Sequence, residues 1–310
     1  MRLLPSLLLT LTLSLGCGGD PNAPAIPPAD DAGATPDGDK TPAPDAPSRD
    51  WGPPVDPTLS VPTFDAATVA RVRALRAMGA TRGMRPDVVA KIGDSITESA
   101  SFLSDIGHGW HELGAHAYLQ PTVTYFSRTR FADGTNSLNR ASSCAMGGWV
   151  AAYALAMDPM SALRNEMDYT RPAYAIVMYG TNDLDRIAPE EFTRDMTRIL
   201  DIIESYGSVP VMSTIPDRLD RAEAGARVPS FNEAIRAMAA SRHLPLMEFW
   251  RSLQDLPRKG IDPDGIHPSA YVSNGNVACG VLTPDGLRFG YNMRNLVALF
   301  ALDRLRNLAQ

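Results

Sequence analysis

The sequence carries no Gly-x-Ser-x-Gly, no phosphate-cradling glycine loop and no basic stripe. The first absence disfavours the serine-esterase fold built on a nucleophile elbow. The second removes a common nucleotide-binding signature, and the third argues against nucleic acid as a partner. Long apolar runs are missing as well. The N-terminal run, Leu3 to Leu15, has 13 residues. As a helix it spans about 20 Å, short of the roughly 30 Å of a bilayer core. Histidine is scarce, and three of the five fall in His108-Gly-Trp-His111-Glu112-Leu-Gly-Ala-His116. A zincin-type site needs histidines four apart on one helix face. His111 and His116 are five apart with Gly114 between them. The segment reads as a polar surface helix, and neither a metal nor another cofactor is expected.

The N-terminus does have an early positive charge, Arg2, ahead of its leucine-rich run. That pattern reads as a secretion signal over residues 1–17. Its end, Leu13-Ser14-Leu15-Gly16-Cys17, resembles the lipobox of bacterial lipoproteins. The resemblance implies a lipid on Cys17 that anchors the chain to a membrane. Gly18 stands where inner-membrane lipoproteins carry Asp, so the outer membrane or cell surface is the expected location. Residues 18–60 hold 11 of the 26 prolines, and eight aspartates against Lys40 and Arg49, a net charge of −6. Such a stretch buries too little apolar surface to fold, and proline keeps it extended. It is expected to be a disordered tether.

Residues 61–310 then carry 26 basic against 27 acidic side chains and are nearly neutral. They show no internal repeat and no second linker, so one domain is expected there. With Cys17 assigned to lipid, Cys144 and Cys279 remain. In an exported protein the two are compatible with a disulfide; two separate buried thiols are the alternative.

Strand and helix patterns alternate through this domain. Asp87–Gly93, Tyr174–Tyr179, Val209–Ser213 and Leu244–Phe249 read as strands. The second is a continuous apolar run, as in a strand buried on both faces. Helices are expected over 62–80, 102–116, from 148 to 157, along the Phe192, Met196, Ile199, Ile203 stripe, and from 291 to 308. Ser230 and Glu233 form a capping-box pattern for one more helix start. The expected fold class is α/β, a central parallel sheet covered on both sides by helices. Ligands of such sheets bind beyond the carboxyl ends of the strands.

Three polar blocks fall at those ends. Gly93-Asp94-Ser95 follows the first strand, Gly180-Thr181-Asn182-Asp183 the second, and Asp264-Gly265-Ile266-His267 lies beyond the last. These types suit acyl transfer. Serine is a poor nucleophile until a base takes its proton, and His267 can be that base. Asp264, three residues earlier, can hold the other ring nitrogen. An oxyanion then needs donors, and the Ser95 N–H, the Gly148 N–H and the Asn182 amide can supply three. Each is worth roughly 2.7–4 kcal/mol. Asp183 is expected to act structurally, by hydrogen bonds to the nucleophile loop. Arg140, Ser142 and Trp149 flank the glycine block without an assigned role.

In order along the chain, GDSIT at 93–97, Gly147-Gly148-Trp149, GTND at 180–183 and DGIHPS at 264–269 resemble the four blocks of the SGNH or GDSL hydrolases. The resemblance spans about 88–269 and implies a flavodoxin-like three-layer α/β/α fold. It also implies an open site, no metal, and hydrolysis of carboxylic esters of carbohydrates or lipids. Ser95, Asp264 and His267 match the catalytic set; Ser95, Gly148 and Asn182 match the oxyanion hole. Two other readings use the same blocks: acyl transfer to an acceptor other than water, and a non-catalytic envelope-binding lipoprotein.

Overall fold

The computed structural model describes residues 52–308 apart from 54. The secretion signal, Cys17 and most of the tether lie outside the described residues. The C-terminal end of the expected tether is ordered structure, because residues 57–60 form a helix. Helix α1, Pro57–Ser60, is capped by the Asp56 side chain, which accepts from the Thr58 N–H. Ser60 is buried, and its carbonyl accepts from the Glu248 N–H at 2.7 Å. Proline at the first helical position starts this turn instead of preventing it.

Helix α2 (Ala66–Thr81) begins after Asp65, whose side chain accepts from the Thr68 N–H. Strand β1 (Arg85–Gly93) follows, then the short helices α3 (Ser95–Glu98), α4 (Ser104–His108) and α5 (Gln120–Phe126). The single helix expected over 102–116 does not form, because Gly109 stops α4 in the left-handed region. Its three histidines go separate ways. His108 stacks on Trp110, His111 pairs with Gln120, and His116 is buried against Phe300. Helices α6 (Ala151–Ala154) and α7 (Ala162–Thr170) lead into β2 (Pro172–Met178). Beyond it come α8 (Pro189–Ser205), β3 (Val209–Ser213), α9 (Ala222–Arg242), β4 (Leu246–Met247), α10 (Phe249–Leu253) and α11 (Gly290–Asn307). The Ser230 capping box is not a helix start. Helix α9 already runs through it, and Ser230 Oγ donates back to the Arg227 carbonyl. The apolar face that fixes this helix begins earlier, at Ala224 and Val228.

The four strands form one parallel sheet in the order β1-β2-β3-β4. Every residue of β2 is buried, which is why it reads as an uninterrupted apolar run. Two helical layers cover the sheet. The Tyr174 ring meets Arg76 of α2 and Phe126 of α5, and its hydroxyl donates to the Leu305 carbonyl of α11. Those helices cover that face. Helices α7, α8 and α9 pack side by side on the other.

Beyond β1, on the side away from β2, the chain returns once. Ala145 bridges Gly93 in parallel, with the Gly93 N–H donating to the Cys144 carbonyl and the Met146 N–H to the Gly93 carbonyl. The chain thus leaves β1 to one side and later crosses to β2 on the other. That reversal is a topological switch point, and it opens the sheet edge at the end of β1.

Cys144 and Cys279 are free thiols, both buried. Cys144 Sγ lies 3.9 Å from the Tyr179 hydroxyl under the bridge to β1. The Cys279 carbonyl accepts from Asn295 of α11. Each is a core residue of its own neighbourhood, and the disulfide reading is corrected accordingly.

Candidate active site

Gly93 ends β1 under a steric constraint. A Cβ there would sit 2.3 Å from Thr97 Oγ1 and 2.5 Å from the Met178 carbonyl. Only glycine lets the chain turn this tightly against β2. Asp94 then caps α3, its carboxylate accepting from the Ile96 N–H at 3.0 Å. Asp94 is fully buried, and burial pushes its carboxyl up to about 6. Ser95, the first residue of α3, stands partly exposed at the sheet's carboxyl edge.

His267 reaches Ser95 from the loop after α10. Ser95 Oγ lies 2.9 Å from His267 Nε2, and His267 Nδ1 lies 2.6 Å from Asp264 Oδ2. The other Asp264 oxygen accepts from the Ile266 and His267 N–H groups at 2.8 and 3.0 Å. Burial raises the Asp264 carboxyl, but these hydrogen bonds outweigh it and hold the group below its ordinary value. An ionised carboxylate only accepts, so the ring proton belongs on Nδ1. That leaves Nε2 free to accept from Ser95.

The glycine block folds as a four-residue turn closed by the Trp149 N–H on the Met146 carbonyl at 3.2 Å. Gly148 is its third residue at φ +74°, a conformation that favours glycine. Gly147 lies closer to the nucleophile: a Cβ there would be 3.8 Å from Ser95 Cβ. Among the described residues neither the Ser95 nor the Gly148 N–H has a hydrogen-bond acceptor. Asn182 Nδ2 donates to the Trp149 carbonyl at 3.0 Å, which uses one of its two amide protons and fixes the group beside the turn. Ser95, Asp264, His267, Gly148 and Asn182 are thus gathered at one edge.

Asp183 does not bond the nucleophile loop. Its two oxygens accept from the Ala151 and Gly180 N–H groups, at 2.8 and 3.0 Å. It pins the start of α6 to the end of β2. Arg140 and Ser142 also resolve as supports. Arg140 pairs with the buried Glu166, and Ser142 Oγ accepts from the Cys144 N–H. Glu166 also accepts from the Ser143 N–H and hydroxyl, both at 2.9 Å, and so holds the strand-like stretch leading to Gly148.

Two buried arginines missed from the sequence brace the site. Arg294 of α11 donates to the Ile96 carbonyl at 2.6 Å and to Thr97 Oγ1 at 2.9 Å, directly behind the nucleophile. Arg218 donates to the Thr181 carbonyl at 2.6 Å and to both oxygens of Asp220 at 2.7 and 2.8 Å. The next residue's N–H, from Leu219, holds the Gly265 carbonyl at 2.7 Å. Arg218 therefore ties the Asn182 turn to the segment on which the Asp264–His267 loop rests. A lone cation within the apolar pattern of 291–302 is the signal that could have found Arg294.

A parallel α/β sheet with a hydroxyl, an imidazole and a carboxylate in line at its carboxyl edge defines the class, an α/β hydrolytic enzyme. The GDSL-like lipase/acylhydrolase family matches residues 92–271, more than half of the chain. The chain belongs to that family and is an ester-hydrolysing enzyme. No curated protein matches it. Among solved structures it is similar to a GDSL-like lipase from Bacteroides thetaiotaomicron, with 14% identity, 76% of this chain and 98% of that one covered, and a TM-score of 0.44. It is also similar to a lipase/acylhydrolase from Enterococcus faecalis, with 19% identity, 72% and 97% covered, and a TM-score of 0.46. A third is an acetylxylan esterase from Geobacillus stearothermophilus, with 13% identity, 69% and 93% covered, and a TM-score of 0.44.

Proposed function

We propose that the enzyme is a serine esterase in which Ser95 is the nucleophile, His267 the general base and acid, and Asp264 the group that orients the imidazole and stabilises the imidazolium. The single observation that carries this reading is the Ser95–His267–Asp264 chain at 2.9 and 2.6 Å. His267 Nε2 takes the hydroxyl proton as Ser95 Oγ bonds to the ester carbonyl carbon. The negative oxygen so formed is met by the Ser95 and Gly148 N–H groups and the spare Asn182 amide proton. Collapse breaks the carbon–alkoxide bond, and the alcohol leaves with the proton held on His267. Water then attacks the acyl-serine carbonyl while His267 takes its proton. The acid leaves and Ser95 recovers its hydroxyl.

The substrate class we propose is an O-acetyl ester on carbohydrate. His267 and Asp264 have side chains 36% and 45% exposed, and Gly147 and Gly148 are exposed beside them. A site this open admits one unit of a polymer. The nearly neutral domain also favours an uncharged one. We further propose that the enzyme is exported and held to the envelope by a lipid on Cys17. Incorporation of labelled fatty acid, abolished by Cys17→Ser, is the expected result; incorporation retained in that variant would exclude it.

The test of the nucleophile is a fluorophosphonate probe on the full chain, wild type beside Ser95→Ala. Labelling of the wild type alone is expected. Equal labelling of both proteins, or ester cleavage retained by a folded Ser95→Ala variant, would overturn the mechanism.

A further inference from the structure

Resting on the esterase reading, we propose that Tyr153 and Arg186 form a sugar-ring subsite that continues the oxyanion seam and selects an acetylated glycan as substrate. Two chain segments, 149–153 and 182–186, are laced together by three successive contacts. Asn182 donates to the Trp149 carbonyl at 3.0 Å. Asp183 accepts from the Ala151 N–H at 2.8 Å. Arg186 donates through Nη1 to the Tyr153 hydroxyl at 3.1 Å. The first contact fixes the oxyanion donor, the second is buried, and the third lies at the surface. The middle contact anchors both segments in the core, and above it the Trp149 ring, next to Gly148, meets the Tyr153 ring and leads from the oxyanion turn to the Tyr153–Arg186 pair.

The pair is set in place yet uncovered. Tyr153 stands perpendicular to Trp149, with ring centroids 6.5 Å apart, and is still 46% exposed. Arg186 bonds the ring's hydroxyl and lies over the ring, its guanidinium carbon 5.9 Å from the centroid. This contact leaves nearly half of Tyr153 open to solvent. Arg186 makes no ion pair among the described residues, whereas its neighbour Asp185 is taken by Arg218 and Arg221. A guanidinium has five N–H donors, and Arg186 spends one of them on Tyr153.

This combination fits a pyranose ring. Its C–H face needs an exposed aromatic surface, and the hydroxyls around its edge need fixed donors nearby. An acyl chain would instead strip water from the guanidinium with nothing to replace it. A cavity of about 540 Å³ borders the other flank of the Asp264–His267 loop, with Asp262, Pro263 and Ser269 in its wall, but is lined by none of Ser95, Asp264, His267, Gly148 and Asn182. The seam is connected to them through Asn182.

The experiment compares kcat/KM of the full chain on a partially O-acetylated xylo-oligosaccharide with kcat/KM on p-nitrophenyl acetate. Tyr153→Ala and Arg186→Met are each expected to lower the ratio of the two about tenfold. Tyr153→Phe, which keeps the ring, is expected to restore most of it. A ratio unchanged within about twofold in both variants would overturn the subsite. So would a wild type that cleaves p-nitrophenyl acetate but not the oligosaccharide, which leaves the esterase reading standing. A folded wild type that cleaves neither overturns the esterase reading instead. In that case calorimetric titration of the oligosaccharide decides the subsite: weaker binding in Tyr153→Ala supports it, and no binding to the wild type ends it.

Discussion

Arg294→Met separates what a buried charge does for stability from what it does for catalysis. Arg294 is wholly buried and has no carboxylate ion pair among the described residues; its Nε has no partner. Burial lowers its pKa well below the ordinary arginine value, to about 10. That fall weighs roughly 3 kcal/mol against the charged form, at about 1.4 kcal/mol per decade. Methionine removes the cost and fills much of the same space. Against this stands the Ile96 carbonyl, left without its donor, at about 1–3 kcal/mol. The contact of the guanidinium with the Phe102 ring, 3.8 Å from its centroid, adds about 2 kcal/mol to the loss. The terms nearly cancel, leaving a net loss of about 0–2 kcal/mol. For a folded unit of this size Tm should then fall by less than about 8 °C. Catalysis should suffer more. Ile96 and Thr97 follow the nucleophile directly, and releasing them frees Ser95 to drift from His267. A displacement of about 1 Å costs on the order of a hundredfold. Thermal unfolding by circular dichroism and kcat on p-nitrophenyl acetate read the two effects separately. An unchanged kcat would refute the positioning argument, and a Tm drop above about 15 °C would refute the energetic balance.

Arg218→Lys should lower kcat by about 10–100-fold with a smaller change in KM, because an ammonium cannot hold Asp220 through two parallel hydrogen bonds and reach Thr181 as well. An unchanged kcat would show that the two loops hold their places without it. Burial raises the Asp183 carboxyl to about 7. Between pH 4 and 7 the folded state therefore binds more protons than the unfolded one, and stability falls as pH rises. Asp183→Asn should flatten that part of the pH–Tm curve, and an unaltered slope would contradict the assignment. Lys91 is also buried, and its pKa falls to about 7. It acts in the opposite sense: between about pH 7 and 10.5 the unfolded state binds more protons and stability rises with pH, so Lys91→Met should remove that rise. The buried thiols of Cys144 and Cys279 are pushed up to about 12 and 11. Both should resist alkylation in the native protein and react after unfolding without reductant; failure of the second step would restore the disulfide.

What was legible in the sequence and what was not divide along one physical line. Ser95, Asn182, Asp264 and His267 were legible because each sits in a local turn whose neighbours are fixed by backbone geometry. Gly93 must be glycine against Met178, Gly148 must take a positive φ, and Asp264 must accept from N–H groups two and three residues ahead. β2 was legible because burial on both faces leaves no polar position in it. The supports were hidden because their partners are remote in sequence. Arg294 is 198 residues from Ile96, Arg218 is 37 from Thr181, and Arg186 is 33 from Tyr153. Apart from the apolar surroundings of Arg294 in the sequence, nothing local distinguishes these arginines from solvated surface charges; only the fold brings each to its carbonyl or hydroxyl. The misread segments have the same cause in reverse. Around 102–116 the pattern was helical, but Gly109 and the packing of His116 on Phe300 broke it into pieces. At Ser230 a local capping signal lost to the apolar face that starts six residues earlier, at Ala224. Local chemistry thus wrote the reacting groups into the sequence, and tertiary packing alone decides what holds them in register. Variants of the remote arginines are therefore the sharper test of this site than variants of the motif residues.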